Sequence, residues 1–186
     1  MRHRIFIASH LPEDVKKALL DYQQKKLSNS CFRLVPEQAL HLTLIFIGDV
    51  WDNDLFKVVQ ACESALKSFF PIRVELNKIT FGPMPHNPRL VWAEGKDSEE
   101  LSQLYQALEQ ELINKEIKFK IENRLFKPHI TLARINKENC ASLPSLSEIE
   151  TKIEESFMIN EISIIESELK RSGPKYTDLN TFPLKH

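Results

Sequence analysis

Cysteine is sparse and badly placed for chemistry. Cys31, Cys62 and Cys140 are far apart and form no CxxC pair. An odd count at such separations argues against both a disulfide framework and a thiolate metal site, so all three are expected as reduced thiols of a cytoplasmic protein. Charge of one sign is missing too: 25 Lys and Arg stand against 26 Asp and Glu. A net charge of −1 gives no general pull toward long duplexes or anionic lipid, so a polyanion would need a local cluster. No apolar run approaches the length of a membrane span. The start, MRHRIFIASHLP, has an apolar stretch only from Ile5 to Ala8 and no cleavage signal. A soluble, unexported monomer without membrane contact is expected. His3, His10, His86 and His186 fall in termini or loops, in no HExxH or paired-ligand spacing, and no metal is expected.

What is present suffices for a core. A chain of 186 residues, 42% hydrophobic, suits a single domain over residues 1–186, compact or made of two small lobes. Arg4 to Ser9 reads as a buried strand, and Pro12 opens a helix from Glu13 to about Lys26 with Val15, Ala18, Leu19 and Tyr22 inward. Cys31 to Val35 and Leu40 to Gly48 read as strands around a turn at Pro36-Glu37-Gln38, and a helix follows from Asp52 or Asn53 to about Phe69. Strands over 72–81 and 89–95 flank the proline-laden loop GPMPHNP, before a helix from Ser98 to Asn114. IKFKIEN (117–123) and HITLARI (129–135) add strands. Residues 136–148 read as loop with at most a short helix; 157–169 and 175–184 read as a closing strand pair around Gly173-Pro174. The sum is an α+β domain with mostly antiparallel strands. Helix, strand pair and motif strand occur twice, a weak sign of internal duplication.

Two tetrads stand out: His41-Leu42-Thr43-Leu44 and His129-Ile130-Thr131-Leu132. Alternate side chains of a strand share a face, so His41 and Thr43 point one way and Leu42 and Leu44 the other, with the same division in the second tetrad. An ordinary half-buried strand explains most isolated H-x-T matches. Here, by parity, Ile45 and Ile47 continue the His41 side, which implies a side covered by protein with a polar mouth: a cleft. Phe46 falls on the other face as a core residue. Arg134 falls by parity with Ile130 and Leu132, where an unpaired guanidinium is costly. Either the strand ends before it or it bends toward an anion, and a phosphate or a structural carboxylate would serve equally well.

At these residues the sequence resembles the two-histidine (2H) phosphoesterases, specifically the bacterial and archaeal RNA 2′,3′-cyclic phosphodiesterases, also called 2′-5′ RNA ligases. The resemblance runs through IFIASHLP, RLVPEQALHLTLIFIGDV, GPMPHNPRLVWAEG, FKPHITLAR and ESELKRSGPKYTDLNTFPL, nearly the whole chain. It implies a bilobal α+β fold, two antiparallel-sheet lobes related by a pseudo-twofold with helices outside, whose motif strands face each other across a central cleft. It implies hydrolysis of an RNA 2′,3′-cyclic phosphate end to a 2′-phosphomonoester, without metal or nucleotide cofactor. It also implies His41 as the proton donor to the leaving O3′ and His129 as the proton acceptor that activates water.

That chemistry suits the residues. Opening a cyclic phosphodiester takes one proton from water and gives another to the ribose oxygen on the far side of phosphorus, and imidazoles do both near neutral pH. Thr43, Thr131 and Arg134 are the expected donors to the nonbridging oxygens. Around them, Trp92 reads as core, with a role in base stacking as the alternative. Trp51 reads as helix-start packing, Lys127 as a solvated charge, Tyr176 as strand packing, and the acidic face of the third helix as solvated surface. Two other functions stay open. One is a phosphodiesterase for small 2′-5′ or cyclic-phosphate nucleotides, or ligation run in reverse; the other is a noncatalytic RNA-binding module.

Overall fold

The computed structural model describes residues 1–84, 86–121, 126–170 and 173–185. In chain order these form β1 (Arg2–His10), α1 (Glu13–Lys26), β2 (Phe32–Leu34), β3 (His41–Trp51), α2 (Asp52–Leu66), β4 (Ile72–Gly82), β5 (Leu90–Gly95), α3 (Glu99–Asn114), β6 (His129–Ile135), α4 (Leu146–Ile149), β7 (Thr151–Ile159), β8 (Glu161–Lys170) and β9 (Gly173–Pro183). The strands make two antiparallel sheets, ordered β3-β1-β8-β9 and β2-β6-β5-β4-β7. The α+β class and the antiparallel pairing expected from the sequence are therefore present.

Local chemistry accounts for the helices. Pro12 occupies the N-cap of α1, Glu13 and Asp14 fill its first turn and Lys25 and Lys26 its last, the arrangement its dipole favours. The Ser98 side chain accepts the Leu101 N–H at the head of α3. Leu101, Leu104, Tyr105, Leu108 and Leu112 then form its buried stripe. One hydrophobic core joins both sheets: Ile5, Ile7 and Leu42 of the first meet the same cluster as Ile79, Val91 and Ile130 of the second. A smaller cluster of Phe6, Ala8 and Ile165 lies on the other face of the first sheet.

The sheets are not sequential halves. β2 and β3, which flank the turn at Pro36, do not pair with each other: β2 joins β6 and β3 joins β1. The run expected as one strand over 157–169 breaks at Asn160, its first part closing β7 in one sheet and its second forming β8 in the other. β7 begins at Thr151, hidden from pattern reading because Glu155 sits among the inward positions Ile153, Phe157 and Ile159. The strand expected over 117–123 is absent from 117–121, and 122–123 lie outside the described residues. Ile117 and Phe119 still pack on the core, but no strand edge meets them among the described residues. Among the described residues no helix is long and apolar enough to cross a membrane.

The cysteine expectation fails for two of the three. Cys31 and Cys140 form a disulfide across 109 residues, whereas Cys62 is a buried free thiol. Spacing cannot reveal this pair, because tertiary contacts bring it together. The Asn136 N–H donates to the Cys31 carbonyl (2.8 Å), and the Ser30 hydroxyl donates to the Asn139 carbonyl (3.0 Å), folding the loop after β6 onto the segment before β2.

Candidate active site

Each motif strand changes face at the residue after its H-x-T pair. Along β1 and β3, Ala8 pairs with Thr43 and Ile7 with Ile45, so Leu44 is an extra residue in the ladder. Along β5 and β6, Trp92 pairs with Thr131 and Val91 with Ala133, so Leu132 is extra. A β-bulge inserts one residue and reverses the parity beyond it. Ile45 and Ile47 are thus buried in the core, not on the His41 face as strict alternation predicts. Phe46, expected in the core, is 49% exposed on the His41 face. By the same device Arg134 leaves the oily face of Ile130 and joins His129 and Thr131: the strand does not end before it but turns it through the bulge. The corresponding residues Phe46 and Arg134 occupy one cavity, about 660 Å³ in volume, together with His41, Thr43, His129 and Thr131.

The second bulge has a visible cause. The Leu132 carbonyl accepts the Val35 N–H (2.8 Å) and Nε2 of the buried Gln23 (2.7 Å); Gln23 Nε2 also donates to the Val35 carbonyl (2.9 Å). An inward helical glutamine therefore satisfies the backbone that the bulge disrupts. Pattern reading took Val15, Ala18, Leu19 and Tyr22 as the inward stripe and missed Gln23.

Both imidazoles are held in parallel fashion, by the backbone two residues earlier. His41 is hydrogen-bonded to the Ala39 backbone. His129 Nδ1 lies 2.9 Å from the Lys127 carbonyl. A carbonyl only accepts, so this Nδ1 carries the proton and Nε2 is the basic nitrogen of the neutral ring. Each ring also rests on an aromatic: His41 stacks on Phe6 (4.7 Å, 26°) with Tyr176 edge-on at 5.6 Å, and His129 lies over Trp92 (4.4 Å, 50°). Burial holds the His41 imidazole down at about 4; the charge on His10, its direct partner across β1 and β3, adds to this, and the Ala39 bond opposes it. His41 is neutral at pH 7.

Other candidates fall out as follows. Tyr176 packs on its strand as expected but also lines the cavity beside His41. Lys127 is not merely solvated: its Nζ lies 2.7 Å from the buried carboxylate of Glu94, which also holds Lys78 at 3.3 Å. Glu94 is the cross-strand partner of His129, and sequence reading gave no signal for it. Trp92 is buried core and at the same time the floor under His129. Trp51 is 62% exposed at the junction of β3 and α2, with little packing role. His3 bridges Glu166 and Asp52, and His10 meets Asp178 at 2.8 Å. His86 is in a turn, and His186 lies outside the described residues. A second cavity of about 580 Å³ opens on the His129 side, sharing Thr43, Phe46 and His129 and extending to Lys78, Trp92, Lys120 and Phe126. Among the described residues no three of His, Cys, Asp or Glu are grouped to hold a metal ion.

The arrangement can take a proton at one imidazole and give one at the other, with hydroxyl and guanidinium donors lining the same cavity. Comparison with known proteins bears on the fold and the family. An RNA 2′,3′-cyclic phosphodiesterase of Methanothermobacter thermautotrophicus is 29% identical over 189 aligned residues, covering 99% of this chain and all of that protein. One from Thermus thermophilus is 32% identical, covering 98% and 90%. The crystal structure of TT0787 of Thermus thermophilus superposes with a TM-score of 0.84 at 29% identity, covering 97% of each chain. Escherichia coli LigT in complex with 3′-AMP has the same fold, at a TM-score of 0.80 and 23% identity over the full length of both chains. Residues 12–171 match the family model of the 2′-5′ RNA ligase superfamily, and the chain belongs to that superfamily.

Proposed function

We propose that this protein hydrolyses RNA 2′,3′-cyclic phosphate ends to 2′-phosphomonoesters by general acid-base catalysis between His41 and His129. One observation carries the reading: both H-x-T pairs, from different sheets, line one cavity, and a bulge turns Arg134 into it. The relatives named for this reaction support the substrate.

In the proposed reaction Nε2 of His129 takes a proton from water as the water oxygen attacks phosphorus. The P–O3′ bond breaks on the opposite side, and His41 gives its proton to O3′. Thr43, Thr131 and Arg134 donate to the nonbridging oxygens as charge gathers on them. Because His41 is neutral in the free protein, its proton must arrive with the substrate; the phosphate anion beside the ring favours the imidazolium form. The chain's own residues thus supply both proton transfers.

The test is turnover of an oligoribonucleotide ending in a 2′,3′-cyclic phosphate, with the product identified as the 2′-monoester. His41→Ala and His129→Ala should each lower kcat by about 10²–10⁴ with circular dichroism unchanged. Full activity in either variant overturns the two-histidine mechanism.

The second cavity supports a further reading. It abuts the proposed water-activating histidine and has the volume of a nucleoside site. A 5′-hydroxyl end placed there would replace water as nucleophile and give a 2′-5′ linkage, ligation in reverse. Incubating a cyclic-phosphate oligonucleotide with excess 5′-hydroxyl oligonucleotide decides it: a joined product supports the reading, hydrolysis alone removes it.

A further inference from the structure

The cavity that holds His41 and His129 is lined by three guanidinium groups, those of Arg4, Arg33 and Arg134, and, among the described residues, by no carboxylate. A cyclic phosphodiester carries a single negative charge. Arg134 beside the second motif balances it alone, which leaves two further positive charges lining the cavity with no carboxylate among its described lining residues.

Their placement sharpens the mismatch. Arg33 and Arg134 are direct partners across β2 and β6, so their side chains leave the same face with Cβ atoms about 4.5–5.5 Å apart, where like charges repel. Among the described residues neither has a carboxylate within 4.0 Å. The neighbouring cavity is built differently: its Lys78 and Lys127 close on Glu94, so its charge is largely neutralised internally. Arg4 comes from the other sheet, its guanidinium held 5.2 Å above the Phe46 ring, which fixes its direction without cancelling its charge. In a chain of net charge −1, a guanidinium cluster with no carboxylate among the described residues lining its cavity is a local anion site of the kind the whole-chain charge does not provide.

We propose that Arg33, assisted by Arg4, binds a second phosphate: the one on the 5′ oxygen of the terminal nucleotide, one ribose away from the reacting group. The inference rests on the two-histidine reading of the site and names the group by which the site would tell an RNA end from a free nucleoside cyclic phosphate: the 5′-phosphate that every nucleotide within an RNA chain carries. The planar fork of arginine suits two oxygens of one phosphate.

The test uses binding of product-like ligands, so that it does not depend on turnover. Affinities are measured by calorimetry for adenosine 2′-monophosphate, adenosine 2′,5′-bisphosphate, and the dinucleotide ApA carrying a terminal 2′-phosphate. The second and third should bind at least tenfold more tightly than the first, with the gap shrinking as salt is raised. In Arg33→Gln the gap should fall toward one, and in Arg33→Lys, which keeps charge but not the fork, it should be intermediate. The ratio is read within each variant, so a general loss of affinity does not affect it. Equal affinities in the wild type, a gap that survives Arg33→Gln, or a gap for the dinucleotide alone would each overturn the second phosphate site. A wild-type protein that binds as expected yet turns over no cyclic phosphate would overturn the catalytic reading instead, leaving the anion site standing.

Discussion

Nε2 of Gln23 donates to the Leu132 carbonyl from 2.7 Å, across 109 residues of sequence, and so fixes the residue at which the second motif strand changes face. Without that donor a buried carbonyl loses one of its two partners and the bulge loses its anchor. Gln23→Leu should cost about 1–3 kcal/mol in denaturant unfolding. It should also lower kcat/KM by up to roughly 10²-fold through misplaced Arg134. Wild-type activity in this variant would mean that the bulge holds without Gln23.

Gly82 is required by close approach. A Cβ at this position would stand 2.3 Å from Cε2 of Trp92 and 2.5 Å from two other ring atoms, none of which can swing away as a chain end does. The indole must shift, and His129 rests on it. Gly82→Ala should therefore destabilise by about 1–3 kcal/mol and also lower activity, although Gly82 does not line the cavity of the two histidines. Adding Trp92→Phe should recover part of the stability, because the smaller ring vacates the overlap. An active, fully stable Gly82→Ala would show that the indole is not held by this contact.

These two residues show where sequence reading reaches and where it stops. The H-x-T pairs were legible because period-2 alternation is local, and the helices because their stripes and caps are local. Arg134 was legible as an anomaly, a guanidinium assigned to an oily face. Its resolution was not legible, since the bulge is set by Gln23 and Val35 from distant segments. The same unbroken-parity assumption misplaced Phe46, Ile45 and Ile47. Asn160 lacks the Gly or Pro punctuation that would separate β7 from β8. Glu94 and Lys127 gained meaning only when β5 was laid beside β6.

The disulfide gives a thiol count that differs from the sequence expectation. Denatured, unreduced protein should show one titratable thiol, that of Cys62, and reduced protein three. In the native state burial pushes the Cys62 thiol up to about 12, with Glu63 adding to the effect, so it should resist alkylation at neutral pH. Reduction should lower stability by up to about 4 kcal/mol, since the bridge closes a loop across 109 residues. Three thiols without reductant would refute the bridge.

The low titration of His41 predicts both a stability profile and a catalytic one. Its folded value, about 4, lies below the 6.5 of the unfolded chain, so folding favours the neutral ring. Above pH 6.5 both states are neutral and the group has no effect on stability. As pH falls from 6.5 to about 4 the unfolded chain takes up a proton that the folded one does not, and stability is lost, by about 3 kcal/mol in total. His41→Asn should flatten that segment of the profile; an unchanged slope would show that other groups set it. In the NMR titration of the free protein the His41 ring should titrate near 4, and saturating adenosine 2′-monophosphate should move it upward, because the bound phosphate favours the charged ring. A ring that stays near 4 in the complex is still unprotonated when the leaving oxygen needs its proton. It would then have to serve as the acceptor, and the donor role would pass to His129.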